Sequence, residues 1–375
     1  MNNHFPFRQI NRRGFSLVES LVTLVVMLLI LAGATTVFVK NQQATGAHIS
    51  LAMMRANLRF GLNTLCSDMR QIGAYLRGAP ISIKKAGVEF GLIECTNTNW
   101  TQWIAGTGFG HYGGYDATIP DRIRIVEPDI INDARLRQQY DPPSSQMKAV
   151  KLTGEEFVEG DLLLITNSTT FDNPWDPGND VFADLFVPTT IQGPQSSNPF
   201  TEITANAGAG DPYNVNAPNG LAHSYPAGST ILKINIYEYY IDATDPEIPR
   251  LMRRDVLNRT EEIAAFVEDM QVALGIDSIL PLDNNITGAE WITTGFTTLT
   301  EAQLNNLRAM RISLTGRTMV VAESMAGSDA GARDVYYRRP AVEDRAAGAA
   351  TSVPYFREVY RETIMFRNLR PVPQN

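Results

Sequence analysis

Arg12 to Gly33 reads RRGFSLVESLVTLVVMLLILAG, and the rest of the chain is organised around this stretch. A basic leader ends at Gly14, and an apolar run starts abruptly at Phe15. From Phe15 to Val39 there are 25 residues with one ionisable side chain, Glu19. At about 1.5 Å of rise per residue this is enough helix to cross a bilayer with some tilt. A carboxylate costs roughly 2.5 to 3.5 kcal/mol at the centre of a membrane helix and less toward the interface, so Glu19 calls for a partner.

The order of the parts excludes an ordinary secretory signal. Such a signal carries its small-residue cleavage site after the apolar region, whereas the break here, Gly14 to Phe15, precedes it. Cleavage at that point keeps the helix and leaves a new α-amine on Phe15, four residues from Glu19. In a low-dielectric setting a free amine is a natural partner for a buried carboxylate. The alternative is an uncleaved signal anchor with Glu19 near the headgroups.

Gly14, Phe15, Ser16, Leu17, Val18 and Glu19, behind a short basic leader and before an apolar helix, resemble the class III signal of type IV prepilins and type II secretion pseudopilins. The resemblance implies that a prepilin peptidase cuts after Gly14 and methylates the amine of Phe15, and that Glu19 guides subunit packing. Major pilins of this kind carry a proline at mature position 22, which is Thr36 here. The segment GATT, Gly33 to Thr36, is a weaker helix former than the run before it and is the place where the helix would soften.

Composition fits an anchored, exported chain. Mean hydropathy is −0.14 and 44% of residues are hydrophobic, ample for a globular core beyond one anchor. The leader arginines, Arg8, Arg12 and Arg13, place the N-terminus in the cytoplasm by the positive-inside rule. Removing these three from 32 basic residues leaves 29 against 40 acidic ones, a mature net charge of −11 that does not invite nucleic acid. Cys66 and Cys95 fall in the exported part, where disulfides persist. Pairing would close a loop worth about 3 to 4 kcal/mol in the chain-entropy model; two free thiols are the alternative.

No proline occurs between Phe15 and Pro80, so the helix is expected to run to about Leu76, roughly 90 Å. After a polar patch from Lys40 to Gly46, apolar residues recur at Leu51, Met54, Leu58, Leu62, Leu65, Met69, Ile72 and Leu76, one helical face. Gly33, Gly46 and Gly61 each cost about 1 kcal/mol relative to alanine. The expected organisation is a cleaved leader (1–14), a membrane and filament-core helix (15–39), its amphipathic continuation (40–77) and a globular head (78–375) with a loop-rich insertion at about 96–229.

In the head, Arg122 to Val126 and Asp161 to Thr166 read as short strands within loop-forming sequence such as Gly106 to Asp116 and Asp172 to Asp180. Asp172, Asp176 and Asp180, with Asn173 and Asn179, are oxygen donors of the type calcium takes, although the spacing is not that of an EF-hand and Pro174 and Pro177 explain the turn without a metal. Beyond Thr230, Ile231 to Ile241 alternates as a half-buried strand and a turn at Asp242 to Pro249 returns the chain to Leu251 to Arg254. Asn258 and Thr260 are expected to cap a short helix carrying Ile263, Phe266, Val267 and Met270 on one face. Leu307 to Arg317 and Tyr360 to Asn368 read as strands.

Tyr239, Tyr240 and Ile241, Leu251 with Arg253, FVEDMQVALGID from Phe266, LRAMRISLTGR from Leu307 and TIMFRNLR from Thr363 resemble, in this order, the landmarks of the PilW family of minor type IV pilins. That resemblance implies an α+β pilin: a long N-terminal helix packed on an antiparallel β-sheet head with long loops. It also implies a low-abundance subunit at or near the pilus tip that helps initiate assembly, serving adhesion and twitching motility. The partners it implies are the prepilin peptidase, other minor pilins, the major pilin and, before assembly, the inner membrane. A minor pseudopilin of a secretion system is the nearer alternative, and a tip adhesin binding through the 100–228 loops the other. His4, His48, His111 and His223 belong to no HExxH pattern, and no GxSxG, Walker or dinucleotide glycine pattern occurs, so neither an enzyme nor a cofactor is expected.

Overall fold

The computed structural model describes residues 16–72, 81–83, 88–90, 93–96, 119–153, 157–167, 182–193, 200–206, 215–216, 220–278, 286–293, 306–319, 339–343, 345–348 and 355–366. One helix, α1 (Leu17–Gln71), contains 55 residues and is about 80 Å long. It starts two residues after the expected Phe15, because Ser16 holds an extended conformation as its N-cap, and it ends at the Ile72 cap rather than near Leu76. It runs unbroken through Gly33 to Thr36. The hydroxyls of Thr35 and Thr36 donate to the carbonyls of Leu31 and Ala32 at 2.8 Å, so the weak segment keeps its hydroxyls bonded within the helix.

Twelve strands form the larger sheet. They are β1 (Ile81–Ile83), β2 (Val88–Phe90), β3 (Ile93–Thr96), β4 (Arg122–Leu136), β5 (Gln146–Thr153), β6 (Leu163–Thr166), β7 (Ala183–Phe186), β8 (Thr190–Gln192), β9 (Thr201–Thr204), β10 (Thr230–Asp242), β11 (Arg250–Asp255) and β12 (Thr260–Ala265). A smaller sheet takes β13 (Val267–Ile276), β14 (Trp291–Ile292), β15 (Leu307–Arg317) and β16 (Arg357–Met365), in the order β14-β13-β15-β16. Pairing is antiparallel except between β1 and β7.

The hub of the larger sheet is β10, whose ILKINIYEYYI pattern is the half-buried alternation expected of it. One of its edges pairs with β4. The other pairs first with β6, through Thr230 to Lys233, and then with β11, through Tyr237 to Asp242. The amphipathic half of α1 lies on both sheets. Met54, Leu58, Leu62, Leu65, Met69 and Ile72, all on the expected face, enter one core with Ile125 and Leu232 of the larger sheet and Met270, Ile312 and Ile364 of the smaller.

Two expectations fail here. The 96–229 insertion is more than two short strands among loops: the expected Arg122 to Val126 opens β4 and the expected Asp161 to Thr166 contains β6, but β4 runs on to Leu136 and, with β5 to β9, encloses a second core of Leu136, Met147, Phe157, Ile165, Phe186, Ile203 and Tyr225. Four of these strands, β6 to β9, have only three or four residues each, so turn formers dominate a window read along that part of the sequence. The second failure is the short helix after Asn258. Asn258 has φ 60° and lies in the turn between β11 and β12, where Asp255 accepts the amides of Leu257 and Arg259 at 2.9 Å. Phe266 at φ 62° then breaks β12 from β13. That left-handed residue shifts which side chains face the core, so Ile263, Val267 and Met270 share it at a spacing that imitates a helix.

Candidate assembly interface

Every large apolar side chain of α1 from Leu17 to Val39 is exposed, from 44% at Val39 to 81% at Leu17. No residue of the most apolar 18-residue window is buried, and its mean hydropathy is 2.6. A helix apolar all round and buried against nothing in its own chain needs either lipid or other helices around it. The Thr23 hydroxyl donates to the Glu19 backbone carbonyl at 2.7 Å, and the exposed carboxylate of Glu19 is the charged group of the first turn. There the helix dipole favours an acid. Gly14 and Phe15 lie outside the described residues, as do the calcium candidates Asp172, Asp176 and Asp180.

At the other end of α1, charged groups fix the helix to the head. Asp68 accepts hydrogen bonds from the Tyr239 hydroxyl and from Arg253 Nη1, the latter at 3.0 Å. Arg253 also donates to Glu261 at 2.7 Å and lies 4.6 Å over the ring of Tyr237. Burial pushes the Tyr239 hydroxyl upward, and the Asp68 charge adds to it. Close by, burial and then the Asp68 charge raise the Glu127 carboxyl to about 7. One strand position away, Glu238 is buried between Arg122, at 3.0 Å, and Arg254, and both guanidinium groups also stack on Tyr240.

The face of the smaller sheet turned from the helix carries a second network. Asp269, fully buried, takes hydrogen bonds from Arg345, from Arg339 at 2.8 Å and from Gln271 at 3.0 Å. Glu343 accepts a fork from Arg311, at 3.0 and 2.6 Å, with Arg361 at 3.2 Å. Residues 339–343 and 345–348 are thereby strapped across β13, β15 and β16. Asp121, just before β4, joins the two sheets: its amide donates to the Met270 carbonyl at 2.8 Å and its Oδ2 accepts the Val272 amide at 2.7 Å. Burial raises its carboxyl to about 8, opposed by the Val272 amide and aided by the charge of Asp269.

Cys66 is a free, buried thiol in this structure, and burial pushes it up to about 11. The expected bridge to Cys95 is not shown: Cys95 sits on β3 opposite Ile123, with its side chain outside the described part. Sequence reading pointed to Tyr239, Tyr240 and Arg253 as landmarks and missed their partners. Asp68 flanks Met69 of the apolar stripe, and nothing local sets it apart from the other polar residues between the apolar positions. Asp121, Asp269 and Glu343 carried no local signal, since the arginines that pair with Asp269 and Glu343 lie 18 to 76 residues away and the Val272 amide lies 151 residues from Asp121.

Among the described residues these groups form fixed ion pairs and packed rings, suited to holding a helix on a head. Residues 238–368 match a family described as Type IV Pilus-assembly protein W, and residues 10–35 match the Prokaryotic N-terminal methylation motif. The first match begins inside β10 and takes in Arg253, Asp269, Arg311 and Glu343; the second takes in Gly14, Phe15 and Glu19. No curated protein and no solved structure matches the chain.

Proposed function

We propose that this chain, a PilW-like type IV pilin by its N-terminal methylation signal and its C-terminal region, is a minor pilin that sits at or near the pilus tip and helps start filament assembly. The methylation motif implies processing by a prepilin peptidase and assembly with other pilins. In this reading the helix first spans the inner membrane with the head outside. Cleavage after Gly14 frees the Phe15 amine, which is methylated, and Glu19 then pairs with the Phe15 amine of a neighbouring subunit. Such a pair is worth most where lipid and packed helices exclude water.

The observation that carries the proposal is the unburied apolar helix from Leu17 to Val39 on a head whose core is complete without it. Extraction of that helix from lipid becomes favourable only when other helices replace the lipid around it, which is what a filament core supplies. A head of this size exceeds what a repeating shaft needs and favours the tip.

The test is intact and N-terminal mass spectrometry of membrane-extracted protein, with and without active prepilin peptidase, joined to a deletion strain scored for pili. N-methylated Phe15 only with the peptidase, and few or no pili in the deletion, is the expected result. A chain still starting at Met1 in both samples would sink the prepilin reading. Normal pili with lost protein secretion would move the chain to the pseudopilins.

A further inference from the structure

The second core is completed by an irregular segment, residues 220–228, which sends Leu221 and Tyr225 into it and leaves Ala222, Ser224, Pro226 and Ala227 exposed. The segment is one residue layer thick. Both its ends are glycines in the left-handed region, Gly220 at φ 76° and Gly228 at φ 94°, where other residues are strained. Backbone hydrogen bonds of 2.8 and 2.9 Å join Tyr225 to Tyr140, and the Tyr140 hydroxyl accepts the Leu221 amide at 2.8 Å. One charged pair ties the segment to β7. Asp184, 1% exposed, accepts the His223 amide at 2.9 Å through Oδ2, and its Oδ1 lies 3.2 Å from Nδ1 of the same ring. That ring is partly exposed and stacks on Phe182 with centroids 4.6 Å apart.

Among the described residues, His223 carries the positive charge that reaches Asp184. Arg135 donates instead to the Gly228 carbonyl, at 3.2 Å. Histidine is the side chain whose charge ordinarily changes between about pH 5 and 8. While the ring is an imidazolium, the buried carboxylate has an opposite charge beside it. Once the ring is neutral the hydrogen bonds remain but that charge is gone, and a buried ion without a counter-charge is costly. Lifting the segment lets water reach Asp184 and relieves the cost. Burial also raises the Asp184 carboxyl, opposed by the His223 amide and the His223 charge. Both groups act in one direction: the closed segment holds a proton that the open one releases, so closure is strongest in acid and weakens as pH rises. The hydroxyls of Tyr225 and Tyr140, which face Asp184, are raised by burial and stay neutral throughout.

We infer that residues 220–228 are a proton-operated flap: the pair of His223 and Asp184 holds them on the second core in mildly acid surroundings, and loss of the pair's proton releases them. Release turns the two terminal glycines into hinges. It bares Leu221, Tyr225 and the ring of Phe182, and so gives the head an apolar surface in alkaline medium that it lacks in acid. The second core lies between residues 35 and 238, outside both matched stretches, so neither family match implies this behaviour.

Hydrogen exchange of the full detergent-solubilised chain, read by mass spectrometry at about pH 5.5 and about pH 8 and corrected for the intrinsic pH dependence of amide exchange, tests this. In the wild type, opening of peptides from 220–228 should rise by about tenfold or more between the two, since one released proton is worth up to about tenfold per pH unit. His223→Gln keeps a donor but never a charge, and should lose most of that response in 220–228 while β15 exchanges as in the wild type. Asp184→Asn, whose amide can donate to a neutral ring, should keep the segment closed at both values. Equal protection of 220–228 at both values in the wild type would overturn the inference. So would a full pH response surviving in either variant, and because the wild-type measurement stands alone, a variant that fails to fold does not rescue it.

Discussion

Leu58 of the helix stands directly over Gly316 of β15. A Cβ built on Gly316 would lie 2.8 Å from both Cγ and Cδ1 of Leu58 and 2.9 Å from its Cδ2. The helix approaches the smaller sheet this closely because β15 has no side chain there. Gly316→Ala should therefore overpack the interface and destabilise the head by about 1 to 3 kcal/mol. Leu58→Ala should itself cost about 2 to 5 kcal/mol, but the two together should cost less than their sum, since each relieves the other. Urea unfolding of the detergent-solubilised single and double variants measures the coupling; strict additivity would show that the contact does not limit the packing.

Asp121 should make the head less stable as pH rises. Its folded-state carboxyl lies at about 8 against an ordinary 3.8, so over that window the folded state holds a proton that the unfolded state has lost. The stability this brings is fully present below the unfolded value and is lost as pH climbs toward 8, at up to about 1.4 kcal/mol per pH unit. Glu127, at about 7, acts in the same direction over a narrower window. Asp121→Asn should flatten the dependence and leave the variant more stable than wild type at pH 8. A denaturation series from pH 4 to 8 that keeps its full slope in the variant would assign the effect elsewhere.

The helix and the late strands were legible in the sequence for one reason: their apolar periods are long enough to exceed the noise of local composition. Leu307 to Arg317 reads as a strand and is β15, residue for residue. The buried face of α1 is the face that the spacing of Met54, Leu58, Leu62, Leu65 and Met69 marks. Phe266 shows why the reading fails where it does, since one residue in the left-handed region converts a strand pair into the spacing of a helix. The insertion hides β7 to β9 because they have only three or four residues each. Of the candidate interface, Glu19 stands out as a single acid in an apolar run, whereas Asp68 acquires meaning only when β10 and β11 bring Tyr239 and Arg253 to it.

Those two residues give a test of how the helix is held. Tyr239→Phe keeps the ring and removes one hydrogen bond to a charged acceptor, so it should cost about 1.5 to 3 kcal/mol. Arg253→Met should cost at least as much, because Asp68, only 13% exposed at its side chain, then loses its positive partner. Restoring balance with Asp68→Asn in the Arg253→Met background should recover part of the loss. Thermal unfolding at one pH decides the order; equal stability of Arg253→Met and wild type would make the cluster a passive contact.

Cys66 offers a direct measure of how tightly the helix stays on the head. With its thiol buried and raised to about 11, little thiolate exists at pH 8 and no reagent reaches it in the folded state. Alkylation by iodoacetamide should therefore be slow in native protein and rapid in urea. The rate in native protein should rise in Gly316→Ala and Arg253→Met, in proportion to how much each favours opening of the helix from the sheets. If Cys66 and Cys95 instead pair in the exported protein, the intact mass will be two hydrogens lighter and Cys66 will resist alkylation even in urea until a reductant is added. A Cys66 that is alkylated as fast in native protein as in urea would show that the distal half of α1 leaves the head freely.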